Sequence, residues 1–93
     1  MLLIVNLEEV KGWLKVDYSE EDSDIQLLID SAELYLKNAT GKIFDSNNAL
    51  AKLYCRVLIS DWFENRGLMI DGKTSDKVRF TLQSIMMQLQ YSS

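Results

Sequence analysis

The 93 residues of this sequence supply carboxylates, amines, hydroxyls and one thiol, but they include no histidine. Without histidine the commonest general base, the serine and cysteine triads that depend on it, and most zinc sites are excluded. Cys55 has no second cysteine to pair with and lies in an apolar stretch, so we interpret it as a small buried hydrophobe. No group of polar residues predicts catalysis, and we expect neither an enzyme nor a cofactor.

The densest group of acids raises the question of a metal site. Asp17, Ser19, Glu21 and Asp22 have a spacing superficially like that of a calcium-binding loop. The glycine that such a loop needs at its sixth position and its closing glutamate are both missing. Acids are also favoured near the positive end of a helix dipole. We therefore interpret this segment as the start of a helix and predict no metal ligands.

An apolar stretch at residues 47–64 predicts the helix around which the chain packs. Four of its polar side chains are spaced four apart, which makes one narrow polar stripe on a helix. These residues are Lys52, Arg56, Ser60 and Glu64. A helix that is apolar over the rest of its circumference needs neighbours on more than one side. We expect it to be the central helix of the core.

Two helices are predicted before this central helix. Asn6 and Glu9 have the spacing of a capping box, which begins a short helix of about two turns. A longer helix follows the acidic segment and ends before Gly41, a residue suited to the left-handed conformation that closes a helix. The connector to the central helix contains Ile43 and Phe44, both of which we expect to reach the core.

The final helix is predicted from an apolar stripe at helical spacing near the end of the chain. The stripe consists of Val78, Leu82, Ile85, Met86 and Leu89. Its first residue is left open, since Ser75 can cap a helix from Asp76 and Thr81 can cap a shorter one. Before it, the turn signal Asp71-Gly72 predicts a short hairpin-like loop near 67–74. The predicted fold is all-α: residues 1–93 form a single small domain of about four helices around a central apolar helix.

Three apolar residues of the second predicted helix fall outside its core stripe: Leu27, Leu34 and Tyr35. Scattered apolar residues are ordinary on a protein surface, but these lie on adjoining turns of one flank. They can pack on another helix of the same domain or on another subunit. We favour a subunit or partner interface.

Charge is distributed unevenly along the chain. Residues 1–45 hold ten acids and four bases, whereas residues 46–93 hold four acids and six bases. An acidic chain with no basic cluster is poorly suited to gripping DNA phosphates. Opposite charge on two halves of one domain suits head-to-tail association, although solvated helices also show it by chance.

Three segments carry a resemblance to a known family. They are residues 7–17 (LEEVKGWLKVD), 62–66 (WFENR) and 80–89 (FTLQSIMMQL). In this order, with an acidic-capped long helix between the first two, the chain resembles the small head–tail connector proteins of tailed bacteriophages. It departs from the family at Arg79, where members usually carry a proline, and this leaves the start of the last helix in doubt.

The resemblance implies a structural, non-enzymatic protein with no cofactor. It implies a ring of about twelve copies below the portal, which joins head to tail and continues the DNA channel after packaging. Its partners would be other copies of itself, the portal protein and the next head-completion or tail protein, while DNA passes through without specific binding and no membrane is involved. The ring would belong to the virion, be assembled in the bacterial cytoplasm and be encoded by a prophage.

A closed ring requires two different surfaces on each subunit. As one candidate surface we take Leu27, Leu34 and Tyr35, and as a second the loop residues Leu68, Met69 and Ile70, acting as a reaching arm. Asn65 and Arg66 are interpreted as capping the end of the central helix.

Two other classes of protein fit less well. A helix-turn-helix regulator needs a basic recognition helix, whereas the second predicted helix is acidic and the third is largely buried. A small acidic helical adaptor, of the anti-repressor or antitoxin type, is the alternative that the sequence leaves open.

Overall fold

The computed structural model describes residues 4–71 and 73–91, and five α-helices make up its regular structure. They are α1 (Leu7–Leu14), α2 (Asp22–Thr40), α3 (Ala49–Glu64), α4 (Arg66–Asp71) and α5 (Asp76–Tyr91). These described residues contain no strand, which confirms the all-α prediction. Residues 1–3, 72, 92 and 93 lie outside them, so the glycine of the predicted Asp71-Gly72 turn does too.

α3 is the central helix, as predicted, because it contacts α1, α2, α4 and α5. Its buried apolar residues are Ala51, Tyr54, Cys55, Leu58, Ile59 and Trp62. The predicted polar stripe faces outward, with Arg56 and Glu64 exposed. Leu53 is 45 % exposed, so the buried arc of this helix is narrower than the sequence suggested.

α1 is held in place by its cap and by contacts with α3. Asn6 Oδ1 accepts a hydrogen bond from the backbone N–H of Glu9 at 2.8 Å, and the Glu9 carboxylate accepts one from the backbone N–H of Asn6 at 3.2 Å. This confirms the predicted capping box. Glu9 also pairs with Lys52 of α3 at 2.7 Å, and Val10 is fully buried. A helix as short as α1 is marginally stable by itself, so α1 depends on its contacts with the rest of the domain.

α2 ends where the sequence predicts. Gly41 has a φ of +72°, and its N–H donates to the Lys37 carbonyl at 2.7 Å. Side chains are disfavoured in this left-handed conformation, which explains the glycine. The buried stripe of the helix consists of Ile25, Leu28, Ile29, Ala32 and Leu36.

The predicted hairpin-like loop near 67–74 is wrong, because the chain forms the additional helix α4 there. Asn65 leaves helical geometry with φ −133° and ψ 72°, and α4 begins at the next residue. Leu68 and Met69 pack on the core, so the segment lies against the domain and does not extend as an arm. The N–H of Lys73 donates to the Leu68 carbonyl at 2.9 Å, a bond that closes a helix end.

The expectation that both Ile43 and Phe44 reach the core is wrong for Ile43. Phe44 packs against the core, but Ile43 is 62 % exposed. The connector thus turns Phe44 toward the core and leaves Ile43 at the surface.

Candidate interaction surfaces

Two features of the described residues bear on reactivity: they hold no metal-binding cluster, and Cys55 is buried. The described residues hold no cluster of His, Cys, Asp and Glu side chains that could bind a metal ion. Cys55 is fully buried, and burial raises the pKa of its thiol to about 12. A thiol with such a pKa stays protonated at neutral pH and is inert. No helix in the described part of the chain has the length and apolar character of a membrane span.

The outer side of α2 carries two of the predicted interface residues. Leu27 is 54 % exposed and Leu34 is 57 % exposed, and their seven-residue spacing places them on one side of the helix, away from its buried stripe. We call this pair the α2 face. Tyr35 is half-buried, and its ring meets the Trp62 ring edge-on with 5.6 Å between centroids. Much of Tyr35 is therefore covered by its own chain.

A groove of about 550 Å³ opens beside the α2 face. Its apolar lining residues are Ile4, Leu34, Leu36, Ile43 and Phe44, and its charged ones are Asp30, Glu33, Lys37 and Lys42. Glu33 accepts hydrogen bonds from the backbone N–H groups of Ile4 at 2.8 Å and Val5 at 3.3 Å, and so fixes the segment before α1 at this groove. Burial raises the pKa of the Glu33 carboxyl, although the two backbone donors act in the opposite direction.

The outer side of α5 carries a second apolar face, which the sequence reasoning missed. Phe80 is 80 % exposed, Met87 is 55 % exposed and Tyr91 is 85 % exposed. Their spacing of seven and eleven residues aligns them on the side opposite the buried Leu82, Ile85 and Leu89. We call these three residues the α5 face. The signal was present in the sequence, because Phe80, Met87 and Tyr91 form their own helical stripe on the side of the helix opposite the core stripe.

The residues that we expected to form a reaching arm are divided between core and surface. Leu68 and Met69 are half-buried against the core, whereas Ile70 is 81 % exposed. Of the six predicted interface residues, Leu27, Leu34 and Ile70 are thus the ones whose side chains are mainly exposed.

A buried carboxylate on α3 fixes the start of α5, and the sequence reasoning also missed it. Asp61 is 3 % exposed, and its two oxygens accept hydrogen bonds from the Ser75 hydroxyl at 2.6 Å and the Ser75 backbone N–H at 2.8 Å. The neighbouring Trp62 donates from Nε1 to the Lys73 carbonyl at 2.7 Å. These bonds explain why α5 begins at Asp76, the earlier of the two starts left open. An acid on the apolar side of α3 was the available signal.

Asn65 and Arg66 act differently from each other. Asn65 donates from Nδ2 to the Asp61 carbonyl at 3.3 Å, as expected of a residue that caps α3. The interpretation of Arg66 as a cap is corrected: its guanidinium donates to Glu21 at 2.6 Å and to Asp24 at 3.1 Å, and lies 5.2 Å from the centre of the Phe63 ring. Arg66 thereby joins the start of α2 to the junction between α3 and α4.

Comparison with known proteins gives one kind of match. A protein-family model described as Phage gp6-like head-tail connector protein matches residues 4–90, which is nearly the whole chain. Neither the curated proteins nor the solved structures include a match. All three segments that suggested the resemblance lie within the matched range.

Proposed function

Because this chain belongs to the phage gp6-like head–tail connector family, we propose that it forms a ring beneath the portal of a filled phage head. In this role the ring joins the head to the tail and continues the DNA channel once packaging is complete. The observation that carries the proposal is the extent of the family match, which covers α1 to α4 and all but the last residue of α5. The proposed function is structural, with no catalytic step.

The partners follow from the position of such a ring. Each subunit contacts two neighbours of its own kind, while one end of the ring meets the portal protein and the other meets the next head-completion or tail protein. The exposed residues Leu27, Leu34 and Ile70 are available for these contacts. For Tyr35, Leu68 and Met69 we propose a smaller share, through the part of each side chain that the core leaves exposed.

The net charge of −4 supports a channel through which DNA moves without being held. Duplex DNA carries one negative charge per ~1.7 Å of its axis, and binding it requires cationic side chains that displace its counterions. Five of the ten bases of this chain are already engaged by carboxylates of the same subunit: Lys11, Lys52, Arg66, Lys77 and Arg79. A wall with these properties repels DNA weakly and offers no specific site.

The direct test is the native mass of the purified protein, alone and after mixing with the portal protein encoded nearby. We expect a large closed oligomer, or co-migration with portal at about a dozen copies per portal ring. A stable monomer or dimer that does not associate with portal would contradict the proposal and favour the small acidic adaptor.

A further inference from the structure

The α5 face is unusual for an exposed helix surface because it carries no charge. No Asp, Glu, Lys or Arg occurs from residue 80 to residue 91. The outward side of a helix in a soluble domain is ordinarily charged or polar, whereas this one presents Phe80, Met87 and Tyr91. Depletion of charge combined with aromatic residues and methionine is the composition found at the centre of protein–protein interfaces.

The chemistry of the α5 face selects a protein as its partner. A helix that lies on a membrane surface carries Lys and Arg on its polar side, and a nucleic-acid surface needs a basic cluster. From residue 80 onward α5 supplies neither, and its remaining outward residues are mainly glutamine and serine. An amphipathic helix with anchors at helical spacing is suited to an apolar groove on a protein.

The same chain carries such a groove. The cavity of about 550 Å³ beside the α2 face is lined by Leu34, Ile43 and Phe44, two of which are more than half exposed. We infer that the α5 face of one copy docks on the α2 face and groove of a neighbouring copy. This inference rests on the proposed ring, because a head-to-tail ring requires two unlike surfaces that fit one another.

The size of the α5 face fits a contact that is weak alone and cumulative in a ring. Its ends, Phe80 and Tyr91, lie eleven residues apart, or roughly 16 Å along the helix. A large aromatic side chain offers about 150–250 Å², so at their exposures these two offer roughly 250–400 Å² together. A stable interface buries about 800 Å² per partner. The aromatic pair thus supplies the apolar centre of one contact, and ring closure multiplies its effect.

Charged substitutions test both halves of the contact. Phe80→Asp alters the α5 face, Leu34→Asp alters the α2 face, and Leu53→Asp on α3 is the control, with an exposure of 45 % against 57 % for Leu34. In the presence of portal protein, we expect the first two to raise the concentration needed for assembly by about tenfold or more, and the control to leave it unchanged. Helix content and melting temperature should stay close to wild-type values, because all three side chains lie at the surface.

Cross-linking detects the contact even where it is weak. Cys55 is fully buried, so cysteines introduced at exposed positions are the ones that react. A chain with both Met87→Cys and Leu34→Cys should give a ladder of oligomers with a short bismaleimide linker. Each single variant can give at most a dimer, and the control pair Met87→Cys with Leu53→Cys should give no ladder.

The outcomes separate this inference from the ring proposal. Suppose first that the wild-type chain assembles with portal. If both charged variants then assemble equally well and no ladder forms, the docking inference is overturned, while the ring proposal stands. If the wild-type chain stays monomeric with portal, the ring proposal fails and the cross-linking decides the inference alone. In that case a ladder supports self-docking, and its absence overturns it.

Discussion

Asp61 is the buried acid on which the start of α5 depends. Its two oxygens accept hydrogen bonds from one residue, Ser75, through both the hydroxyl and the backbone N–H. A buried carboxylate is tolerated only when its oxygens are hydrogen-bonded, and a buried donor that loses its partner is costly. The pair therefore links the last turn of α3 to the connector before α5.

Replacement of Asp61 by alanine should lower the free energy of unfolding by about 1.5–3 kcal/mol, the usual range for hydrogen bonds to a charged group. Asp61→Asn keeps one acceptor oxygen and should cost less. Urea denaturation of both variants measures the effect, with the half-buried neighbour Ser60→Ala as the control. A loss for Asp61→Ala no larger than that of the control would show that the Ser75 bonds contribute little.

Glu33 should make stability depend on pH. Burial raises the pKa of its carboxyl in the folded protein above the ordinary value of 4.5. Just above that value the folded state therefore binds more protons than the unfolded chain, and the free energy of unfolding falls as pH rises through this window. Glu33→Gln removes the charge but keeps an oxygen to accept from Ile4. Its stability should fall less between about pH 4 and about pH 7 than that of the wild type.

Denaturant titrations at several pH values check this expectation for Glu33. Glu20→Gln is the matched control, because it removes a carboxylate that is exposed to solvent. The explanation is wrong if Glu33→Gln reproduces the wild-type profile or becomes steeper.

For individual side chains, the hydrogen bonds that could be predicted are those between residues close together in the sequence. Asn6 and Glu9 lie three residues apart, so their capping box follows from local spacing alone. Asp61 and Ser75 lie 14 residues apart. They can pair because α4 lies between them and brings the chain back to α3. A local pattern contains no information about that path.

At the scale of the elements, α4 shows how a local signal can mislead. The Asp71-Gly72 pair is typical of a turn between strands, and it predicted a hairpin-like loop. The segment forms a helix because Leu68 and Met69 gain burial against the core by doing so. Tertiary burial thus outweighed turn chemistry, as it does for most short helices.

Arg66 joins two elements, and its replacement by lysine should loosen that connection. One ammonium group cannot reproduce the two directed contacts that the guanidinium makes with Glu21 and Asp24. These groups are partly exposed, so we expect a loss of at most about 1 kcal/mol that shrinks at high salt. Hydrogen exchange at the first turn of α2 should quicken by a matching factor.

The control for Arg66 is Arg56→Lys, which alters the arginine that lies 5.4 Å from the centre of the Trp13 ring. Exchange at the start of α2 should not respond to this change. Equal acceleration in both variants would indicate a general loss of stability and contradict a local role for Arg66.

For α5, the sequence analysis identified one apolar stripe and missed a second. The stripe that contains Leu82, Ile85 and Leu89 was predicted and is buried. The second stripe, Phe80, Met87 and Tyr91, lies on the opposite side and is exposed to solvent. In an isolated domain these side chains contribute nothing to the packing of the core. Two apolar stripes on one helix therefore point to contacts beyond the domain, as they do for the α2 face.

For the whole molecule, hydrophobic periodicity was enough to predict the all-α class and the central helix. α3 is apolar on several sides, so any packing of the chain has to surround it with other helices. The exposed apolar surfaces could not be predicted from periodicity in this way. Whether Tyr35 or Leu34 faces outward depends on where Trp62 lies, and that position is set by the whole fold. The sequence thus predicts which residues are apolar, while the packing decides which of them are left for a partner.

The last prediction concerns DNA, which separates a channel wall from a regulator. With a net charge of −4, the subunit should not retard duplex DNA in a gel-shift assay at about 50 mM salt, where electrostatic binding is strong. A ring of this chain should behave in the same way, because each added copy brings 14 acids and ten bases. Retention that weakens steeply as salt rises would mean that several phosphates are neutralised. That result would contradict a non-adhesive channel and would revive the helix-turn-helix interpretation.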